Sequence, residues 1–551
     1  MSSVPDLAAL ERREHERDVS CDLNRDLNGA PRRAPRRNAK GHSASPAADL
    51  HARSPRCASS ANQPARPAPH TLSDAFAQAS SRVTPRGTPL VSVLIHGGVL
   101  AVWVVLFARA FFLHNVVAWS VGIAYVVYDT LLLAFVAFKT LPLMKSPSSQ
   151  ERGTAAQAAQ PTLGVIVAAW NEASVLPVTL KALLEQDAPP AQIVIADDGS
   201  TDGTAALLAG RYGLVPPPEG QISAPSVLFP TLRWLRLPHA GKAHALNVAI
   251  ASVDTDTVLT VDADTRLAGT ACAAMRDAFA REPELVAATG IITPMCARTL
   301  TGRFFQWFQT YEYIRNFISR FAWMRADSLL LVSGAFACFR REALVAVGGF
   351  DTQCLVEDYE LIHRLRRYAV EHGKTWRVRV IGTAHAQTDA PGSLAAFLRQ
   401  RRRWFAGFLQ TQYWNRDMAG NRRYGALGLL MMPVKAIDTL QPIYGLTAFV
   451  LLLMFIYTGR IGIALSVSAV IVAKIVVDLA FHVWSVHLYR RWTGERRSSH
   501  FALAVLAALA EPFSFQLLRH TGAALGWLHL LTARKSWGVQ ERTGLVDEAR
   551  R

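Results

Sequence analysis

Long uncharged apolar stretches on both sides of a polar middle section constrain the fold of this chain more than any other feature. Leu90–Ala108 has no Asp, Glu, Lys or Arg and is long enough to span a bilayer as a helix. Val116–Phe138 carries only Asp129 as a charge, and the loop Arg109–Asn115 between the two stretches is very short. We therefore predict a transmembrane hairpin over residues 89–145. By the positive-inside rule both of its ends are cytoplasmic, because basic residues flank them: Arg82, Arg86, Lys139 and Lys145.

Apolar sequence returns after the polar middle section. Tyr424–Ile437 is short and contains Pro433 and Lys435, so we expect an interfacial helix over 424–438 rather than a span. Leu440–Tyr457 has no charge and is predicted to cross the membrane.

The C-terminal part predicts further membrane helices over 439–533. Ile461–Val486 reads as a span, and the arginines after it place that end in the cytoplasm. Phe501–Leu531 is interrupted by Glu511-Pro512, so one span and a re-entrant or tilted interfacial pair both remain open. The whole chain then has roughly four or five spans, and residues 534–551 form a cytoplasmic tail.

Residues 1–88 are rich in Arg, Pro, Ser and Ala and lack apolar periodicity, which predicts a disordered basic arm. A solvated tail is the favoured interpretation, and binding to an anionic lipid surface is the alternative. The 551 residues hold 59 Lys and Arg against 42 Asp and Glu, a formal charge of +17. The six cysteines form no CxxC pair, which favours a reducing compartment over a disulfide scaffold.

The polar middle section, 160–415, predicts an α/β domain. Short apolar runs alternate with stretches of helical patterning, which is typical of a mostly parallel sheet covered by helices. The predicted strands are Leu163–Ala169, Gln192–Ala196, Leu232–Leu237, Thr257–Val261 and Leu285–Ile292. In such folds ligands bind at the carboxyl ends of the strands.

Acidic residues follow two of these strands. Asp197 and Asp198 stand before Gly199 and Ser200, a pattern that suits hydrogen bonds to a ligand but is equally common in plain turns. Asp262 and Asp264 are one residue apart at the next strand end. Two such carboxylates can hold Mg²⁺ together with substrate phosphates, although a loop of solvated acids is the alternative.

Three further motifs carry candidate chemistry. Lys242 opens a predicted helix, where a cation is unfavourable unless a phosphate binds there; a plain surface lysine remains possible. Asp358, in a Glu-Asp pair at another helix start, suits a general base or a helix cap. The run Gln400-Arg401-Arg402-Arg403-Trp404 suits either a solvated face or a grip on a diphosphate and a sugar.

In this order and spacing the motifs resemble those of the family 2 membrane glycosyltransferases, the processive synthases of cellulose, chitin, hyaluronan and poly-N-acetylglucosamine. The resemblance covers about residues 90–544. Within the family the chain is most similar to the bacterial poly-β-1,6-N-acetylglucosamine synthase branch. That branch is indicated by Gln309–Tyr313, Ser333–Phe336, Gly348–Phe350 and Thr388–Pro391. It implies a GT-A-like α/β catalytic domain inserted between transmembrane helices.

The resemblance also implies a role for each motif. Asp197 and Asp198 would hold the uridine side of a nucleotide sugar, and Lys242 would help to bind its diphosphate. Asp262 and Asp264 would lie at the diphosphate and a Mg²⁺ or Mn²⁺ ion. Asp358 would deprotonate the acceptor hydroxyl, and three residues of the later motif would bind the diphosphate and the acceptor end: Gln400, Arg403 and Trp404.

The implied activity is inverting, processive transfer of N-acetylglucosamine from UDP-GlcNAc to a growing β-linked polysaccharide, coupled to its export and serving biofilm formation. The alternatives are another donor (UDP-glucose or GDP-mannose), a single transfer to a lipid, or a non-enzymatic membrane protein that binds anionic partners through its basic arm. We expect a multi-pass protein of the bacterial inner membrane with a cytoplasmic catalytic domain. Its partners would be the donor, the polysaccharide, membrane lipid and possible small accessory or export proteins, with no nucleic acid.

Two features depart from the relatives or go beyond them. Val356 and Tyr359-Glu360 stand where relatives often have threonine and Thr-Asp, so the fit of the acceptor is less certain than catalysis. Asp129, Lys474 and Asp478 are charges within predicted spans, where they are costly unless paired. We expect Asp129 to pack against the other two, either lining a polymer path or serving as a purely structural ion cluster.

Overall fold

A computed structural model describes residues 72–113, 116–145, 160–496 and 499–532. The predicted tail 534–551 and most of the predicted arm lie outside these ranges. Residues 72–88 were expected to be disordered, yet they include helix α1, Leu72–Ala79. Long-range contacts hold this segment in place, because Arg82 forms a two-pronged ion pair with Asp351 (2.7 and 2.8 Å). No periodicity in the local sequence signals such a contact.

The sheet of the α/β domain has eight strands, in the spatial order β3-β2-β1-β4-β7-β6-β8-β5. Its strands are β1 Leu163–Ala169, β2 Gln192–Asp198, β3 Leu232–Leu237, β4 Thr257–Asp262, β5 Thr265–Leu267, β6 Leu285–Met295, β7 Phe336–Arg340 and β8 Arg377–Asp389. Four neighbouring pairs are parallel and three are antiparallel, which confirms the mostly parallel sheet. The five predicted strands are all present, and β5, β7 and β8 are additional.

Register explains why the acidic motifs meet at one edge. Ala169 at the end of β1 pairs with Asp197, and the preceding Ala168 pairs with Asp262 on the other side of β1. Because β2, β1 and β4 are parallel, their carboxyl ends lie side by side. The strands are buried on both faces, as continuous apolar runs predict for a covered parallel sheet.

Helices cover this sheet and connect it to the membrane segments. Those of the domain are α4 Leu176–Leu184, α5 Thr204–Tyr212, α6 Lys242–Ser252, α7 Ala271–Arg281, α8 Leu300–Arg325, α9 Arg341–Ala346, α10 Glu357–Glu371 and α11 Leu394–Trp414. Outside the domain lie α2 Leu90–Phe112, α3 Ser120–Thr140, α12 Met432–Tyr457, α13 Ile461–Thr493, α14 Phe501–Ala510 and α15 Phe515–Leu531.

Four helical segments of the described chain are long and apolar enough to cross a membrane, and a fifth is possible if the bent pair α14 and α15 is one span. The pair bends by 51° at Glu511–Phe513, where the predicted interruption lies. An α/β domain between membrane-compatible helices is therefore confirmed as the fold class.

The expected break between an interfacial helix at 424–438 and a separate span is not found. Leu427–Met431 is a π-helical turn that runs directly into α12, and together they form one segment of 31 residues. Pro433 stands in the first turn of α12, where a helix tolerates proline. Lys435 pairs with Asp438 of the same helix at 2.8 Å. Neither Pro433 nor Lys435 therefore ends the helix.

A buried ion pair fixes α10 against the end of α11. Arg367 on α10 donates to both carboxylate oxygens of Asp417 (2.7 and 2.8 Å) and to Asn415 (3.0 Å). The Arg367 side chain is 1% exposed and that of Asp417 is 8% exposed. Removing one member of such a pair leaves the other charge buried and unpaired.

We predict that Arg367→Gln lowers the free energy of unfolding by about 3–5 kcal/mol, because Asp417 loses its counterion in a buried site. Denaturant unfolding of the detergent-solubilised protein measures this change. Arg281→Gln is the matched control, since its i,i+4 pair with Asp277 is exposed and is expected to contribute about 0.3–0.5 kcal/mol. Equal losses in both variants would contradict the assignment.

Candidate active site

Seven of the nine predicted site residues line one cavity of about 730 Å³ at the boundary between the domain and the membrane helices. They come from four parts of the sequence that the fold brings together: Lys242, Asp262, Asp264, Asp358, Gln400, Arg403 and Trp404. Asp197 and Asp198 lie outside the lining of this cavity.

Lys242 begins α6 and reaches across to β4 and α10. Its Nζ lies 2.5 Å from Asp262 Oδ1 and 3.4 Å from Glu357 Oε1. Burial lowers the pKa of Lys242, but the two carboxylates raise it by more, so the net shift is upward and the amine stays charged. A cation is thus fixed at the helix start where the sequence predicted a phosphate-binding lysine.

Asp358, in the first turn of α10, is held by two backbone amides. Gly334 N donates to its Oδ2 at 2.6 Å, and Tyr359 N donates to its Oδ1 at 2.8 Å. A Cβ at Gly334 would stand 2.9 Å from Oδ2, so a larger residue there would displace the carboxylate. Burial and the neighbouring charge of Glu357 raise the pKa of Asp358 to about 6, against the opposing effect of Lys242. That value suits a general base at neutral pH.

The residues at the end of β4 fit a divalent cation by their chemistry. Asp262 and Asp264 place two carboxylates at the cavity, and Asp264 Oδ1 accepts a long hydrogen bond from Thr388 Oγ (3.4 Å). Asp389 also lines the cavity, at the end of β8. Among the described residues no group of three or more His, Cys, Asp or Glu forms a ready-made metal site. Two carboxylates completed by substrate phosphates are a usual Mg²⁺ arrangement.

Asp198 organises the loop that leads into α6. It accepts hydrogen bonds from Ala240 N at 2.8 Å and from Gly241 N at 2.9 Å. Gly241 has φ +98°, a conformation that favours glycine, and this geometry turns the chain into Lys242. His239 Nδ1 lies 2.8 Å from the same carboxylate. The position of the lysine therefore depends on Asp198.

Asp197 is also engaged by protein groups. Its Oδ2 accepts from Trp234 Nε1 (3.1 Å) and its Oδ1 from Ser200 N (2.9 Å). The carboxylate is buried, with only 3% of the residue exposed. In the structure Asp197 and Asp198 thus both hold loops in place. Their direct contact with the uridine of a nucleotide stays a prediction.

Trp170, directly after β1, is a candidate site residue that the sequence motifs did not indicate. It is 41% exposed, and its ring stacks on that of His239 (4.5 Å between centroids, 17° between planes). The next residue, Asn171, accepts from Thr201 N at 2.7 Å and ties this loop to the one after β2. The signal in the sequence was an aromatic residue directly after a buried strand.

The Gln400–Trp404 motif lies on α11, and two of its arginines contact different partners. Arg403 lines the cavity and donates to Leu355 O at 3.1 Å. Arg401 was grouped with the residues beside an anionic substrate, but it binds both oxygens of Glu312 on α8 (2.8 and 2.7 Å). Its guanidinium is 4.8 Å from the ring of Trp404, so it fixes that ring rather than a phosphate.

The departures around Asp358 have local partners. Val356 packs against Gly407 of α11, where a Cβ would stand 2.5 Å from the valine. The Tyr359 hydroxyl accepts from Gln412 at 3.1 Å, and Glu360 pairs with Arg364 at 2.7 Å. These residues support α10 and leave Asp358 at the cavity.

The three charges within the predicted spans form one cluster. Lys474 on α13 lies 2.7 Å from Asp129 on α3 and forms a second ion pair with Asp478. All three line the same cavity as Asp358. The expected packing of Asp129 against this pair is confirmed.

Comparisons with known proteins agree with this geometry. Residues 164–348 match the family "Glycosyl transferase family 2", and residues 257–466 match "Glycosyl transferase family group 2". The chain therefore carries a family 2 glycosyltransferase domain, which confirms the resemblance for this part of the chain and argues against the non-enzymatic alternative.

Two curated relatives are poly-beta-1,6-N-acetyl-D-glucosamine synthases. That of Staphylococcus epidermidis is 28% identical over 272 residues, which are 49% of this chain and 58% of the relative. That of Staphylococcus aureus (strain COL) is 29% identical over 244 residues, 44% of this chain and 53% of the relative. The chain thus spans a little over half the length of these relatives.

A solved structure also matches: the mannosyltransferase PcManGT from Pyrobaculum calidifontis in complex with GDP-Man and Mn²⁺. It is 21% identical with a TM-score of 0.46, and the match covers 72% of this chain and 99% of that one.

We predict that Asp198→Ala loosens the loop before α6, because the amides of Ala240 and Gly241 lose their acceptor. Hydrogen–deuterium exchange is expected to accelerate at least roughly tenfold in peptides covering 239–241, the loss of about one hydrogen bond. Asp254→Ala, on an exposed turn, serves as the control and leaves that peptide unchanged. Unaltered exchange in Asp198→Ala would contradict the assigned role.

Proposed function

We propose that this protein is a membrane-embedded inverting glycosyltransferase that adds N-acetylglucosamine from UDP-GlcNAc to a growing β-linked polysaccharide. The observation that carries the proposal is the single cavity that holds Asp358, Lys242 and the two aspartates after β4, and also extends to Asp129 and Lys474. The names of the curated relatives favour this donor and product.

The donor diphosphate is assigned to the end of β4 and the start of α6. Lys242 and Arg403 provide positive charge toward the leaving UDP, whose negative charge grows as the bond to the sugar breaks. Asp262 and Asp264 would hold a Mg²⁺ or Mn²⁺ ion, which supplies further electrostatic stabilisation of that charge. Asp197 and Asp198 act on the uridine side through the loops they hold.

Asp358 is assigned as the general base. The acceptor hydroxyl oxygen attacks the anomeric carbon of the donor sugar, its proton passes to Asp358, and the bond from that carbon to the diphosphate breaks with inversion. With a pKa of about 6 the carboxylate is ionised in most molecules at neutral pH. The amides of Gly334 and Tyr359 hold it in place before the acceptor arrives.

Trp404 and Gln400 are assigned to the acceptor end of the chain. An indole ring offers an apolar face for the C–H groups of a sugar, and the amide of Gln400 supplies hydrogen bonds to its hydroxyls. Within the part of the chain that the structure describes, Gln400 Oε1 is buried at the cavity with no hydrogen-bond partner, which is consistent with this assignment.

The setting of the reaction follows from the flanking helices. A catalytic domain on the cytoplasmic face of the inner membrane has access to nucleotide sugar, and the polymer leaves through the membrane helices. Membrane lipid and small accessory or export proteins complete the set of partners. UDP-glucose, GDP-mannose and transfer to a lipid acceptor are the alternatives that a donor screen separates.

We predict that Asp358→Asn lowers the rate of transfer about 10²–10⁴-fold, because the amide cannot take the proton of the acceptor. Membranes incubated with radiolabelled UDP-GlcNAc and Mg²⁺, with a chelator control, measure incorporation into polymer. Glu342→Gln, an exposed acid at the start of α9, is the matched control and retains activity. If the wild type incorporates sugar from none of the nucleotide donors, the proposed activity is wrong.

We predict that Asp129→Asn impairs export of polymer while transfer to short soluble acceptors is retained, because Lys474 keeps Asp478 but loses its partner on α3. The two quantities are the polymer enclosed in sealed inverted vesicles and the product formed with a soluble oligosaccharide. Loss of the protein from the membrane fraction, or equal loss of both activities, would instead indicate a purely structural cluster.

A further inference from the structure

Arg320, near the end of α8, is a cation of the cavity that the assignments above do not use. It lines the same cavity as Asp358, and its Nε and Nη1 atoms are buried without a hydrogen-bond partner among the described residues. The guanidinium lies 4.7 Å from the ring of Phe317. Burial lowers the pKa of Arg320 to about 10, so the side chain remains charged at neutral pH.

The other cations around the cavity are engaged by protein groups. Lys435 pairs with Asp438 (2.8 Å) next to α11, and Arg403 bonds to Leu355 O. The remainder pair with carboxylates: Lys242 with Asp262, Arg315 with Glu511, Arg401 with Glu312, Lys474 with Asp129, and Arg519 with Glu511. No ion pair is found for Arg320 within the described part of the chain. A buried charge without hydrogen bonds is costly, so its retention beside a cavity points to a ligand.

Arg320 lies near the end of α8 that packs against a membrane helix. Trp323, one turn further along α8, packs against Phe135 of membrane helix α3 (4.6 Å between ring centroids). This end of α8 therefore lies on the membrane side of the site, whereas the assigned diphosphate residues stand at the carboxyl end of β4. The acidic group that acts on Arg320 at neutral pH is Asp358.

The chemistry of the side chain narrows the ligand. A guanidinium has five N–H donors and no acceptor, so its partner must present oxygen lone pairs. The nearby charge of Asp358 disfavours a second anion, and Tyr313 and Phe317 offer aromatic faces to C–H groups. A neutral sugar with hydroxyl or amide carbonyl oxygens meets these conditions better than a phosphate.

We propose that Arg320 is a positioning residue that donates hydrogen bonds to the terminal sugar of the acceptor saccharide and holds its attacking hydroxyl toward Asp358. The inference rests on the proposed glycosyl transfer and deepens it. The sugar of the donor also presents hydroxyl and carbonyl oxygens. The experiment therefore distinguishes a contact of Arg320 with the acceptor from a contact with the donor.

The test uses Arg320→Gln and Arg320→Lys in the full-length protein, with a short β-1,6-linked N-acetylglucosamine oligosaccharide as the acceptor. We expect Arg320→Gln to raise KM for this acceptor at least about tenfold, the loss of one or more charge-assisted hydrogen bonds. KM for the donor, hydrolysis of the donor by water and binding of UDP stay within about threefold of wild type. Arg320→Lys restores part of the affinity for the acceptor.

Arg303→Gln is the matched control, an exposed arginine on the same helix, and it leaves every constant unchanged. Equal thermal unfolding temperatures of the variants and the wild type establish that folding is intact, and Arg320→Lys carries the test if Arg320→Gln does not fold. Weaker UDP binding or a raised donor KM, with the acceptor constant unchanged, would overturn the proposal in favour of a donor contact. Unchanged constants throughout would overturn it as well.

Binding of the oligosaccharide is also measured directly, through the change in tryptophan fluorescence. This measurement tests the role of Arg320 without depending on sugar transfer. If wild type transfers no sugar from any donor, the proposed function fails, and Arg320 is still tested by this affinity. Weaker oligosaccharide binding in Arg320→Gln supports the inference, and equal binding overturns it.

Discussion

The architecture depends on two buried carboxylates, Glu312 and Glu511, that join the catalytic domain to the membrane helices. Glu312 on α8 holds Arg401 of α11 through two hydrogen bonds and also lies 3.7 Å from Arg519 of α15. Glu511, at the bend between α14 and α15, accepts from Arg315 of α8 (2.7 Å) and Arg519 of α15 (2.8 Å). Because an unpaired charge in such a setting costs several kcal/mol, these helices are held in one arrangement. The position of the Trp404 ring at the cavity follows from it, because Arg401 lies 4.8 Å from that ring.

The sequence predicted the parts whose signal is local. Buried parallel strands are continuous apolar runs, so β2 and β4 were located from the pattern of apolar residues, and the acids after them were expected at the ligand-binding ends of the strands. The residues that the motifs singled out line one cavity: Asp262, Asp264, Lys242 and Asp358. The number of membrane-compatible helices also followed from length and charge.

Other features depend on partners far away in the chain and carry no local signal. Arg401 was placed beside an anionic substrate, but its partner Glu312 is 89 residues away. Arg82 lies in a segment expected to be disordered, and Asp351, which orders it, is 269 residues away. A charged residue in the sequence indicates that an oppositely charged partner is needed, and only the folded structure identifies that partner.

The central claim is that sugar transfer and passage into the membrane share one continuous cavity. The most direct test is a cryo-electron microscopy structure of the protein in lipid nanodiscs after incubation with UDP-GlcNAc and Mg²⁺. The account predicts glycan density that begins between Trp404 and Asp358 and continues past Arg320 toward Lys474. Density that ends at the catalytic carboxylate and leaves along the cytoplasmic surface, or a nucleotide bound away from Asp262 and Lys242, would contradict it.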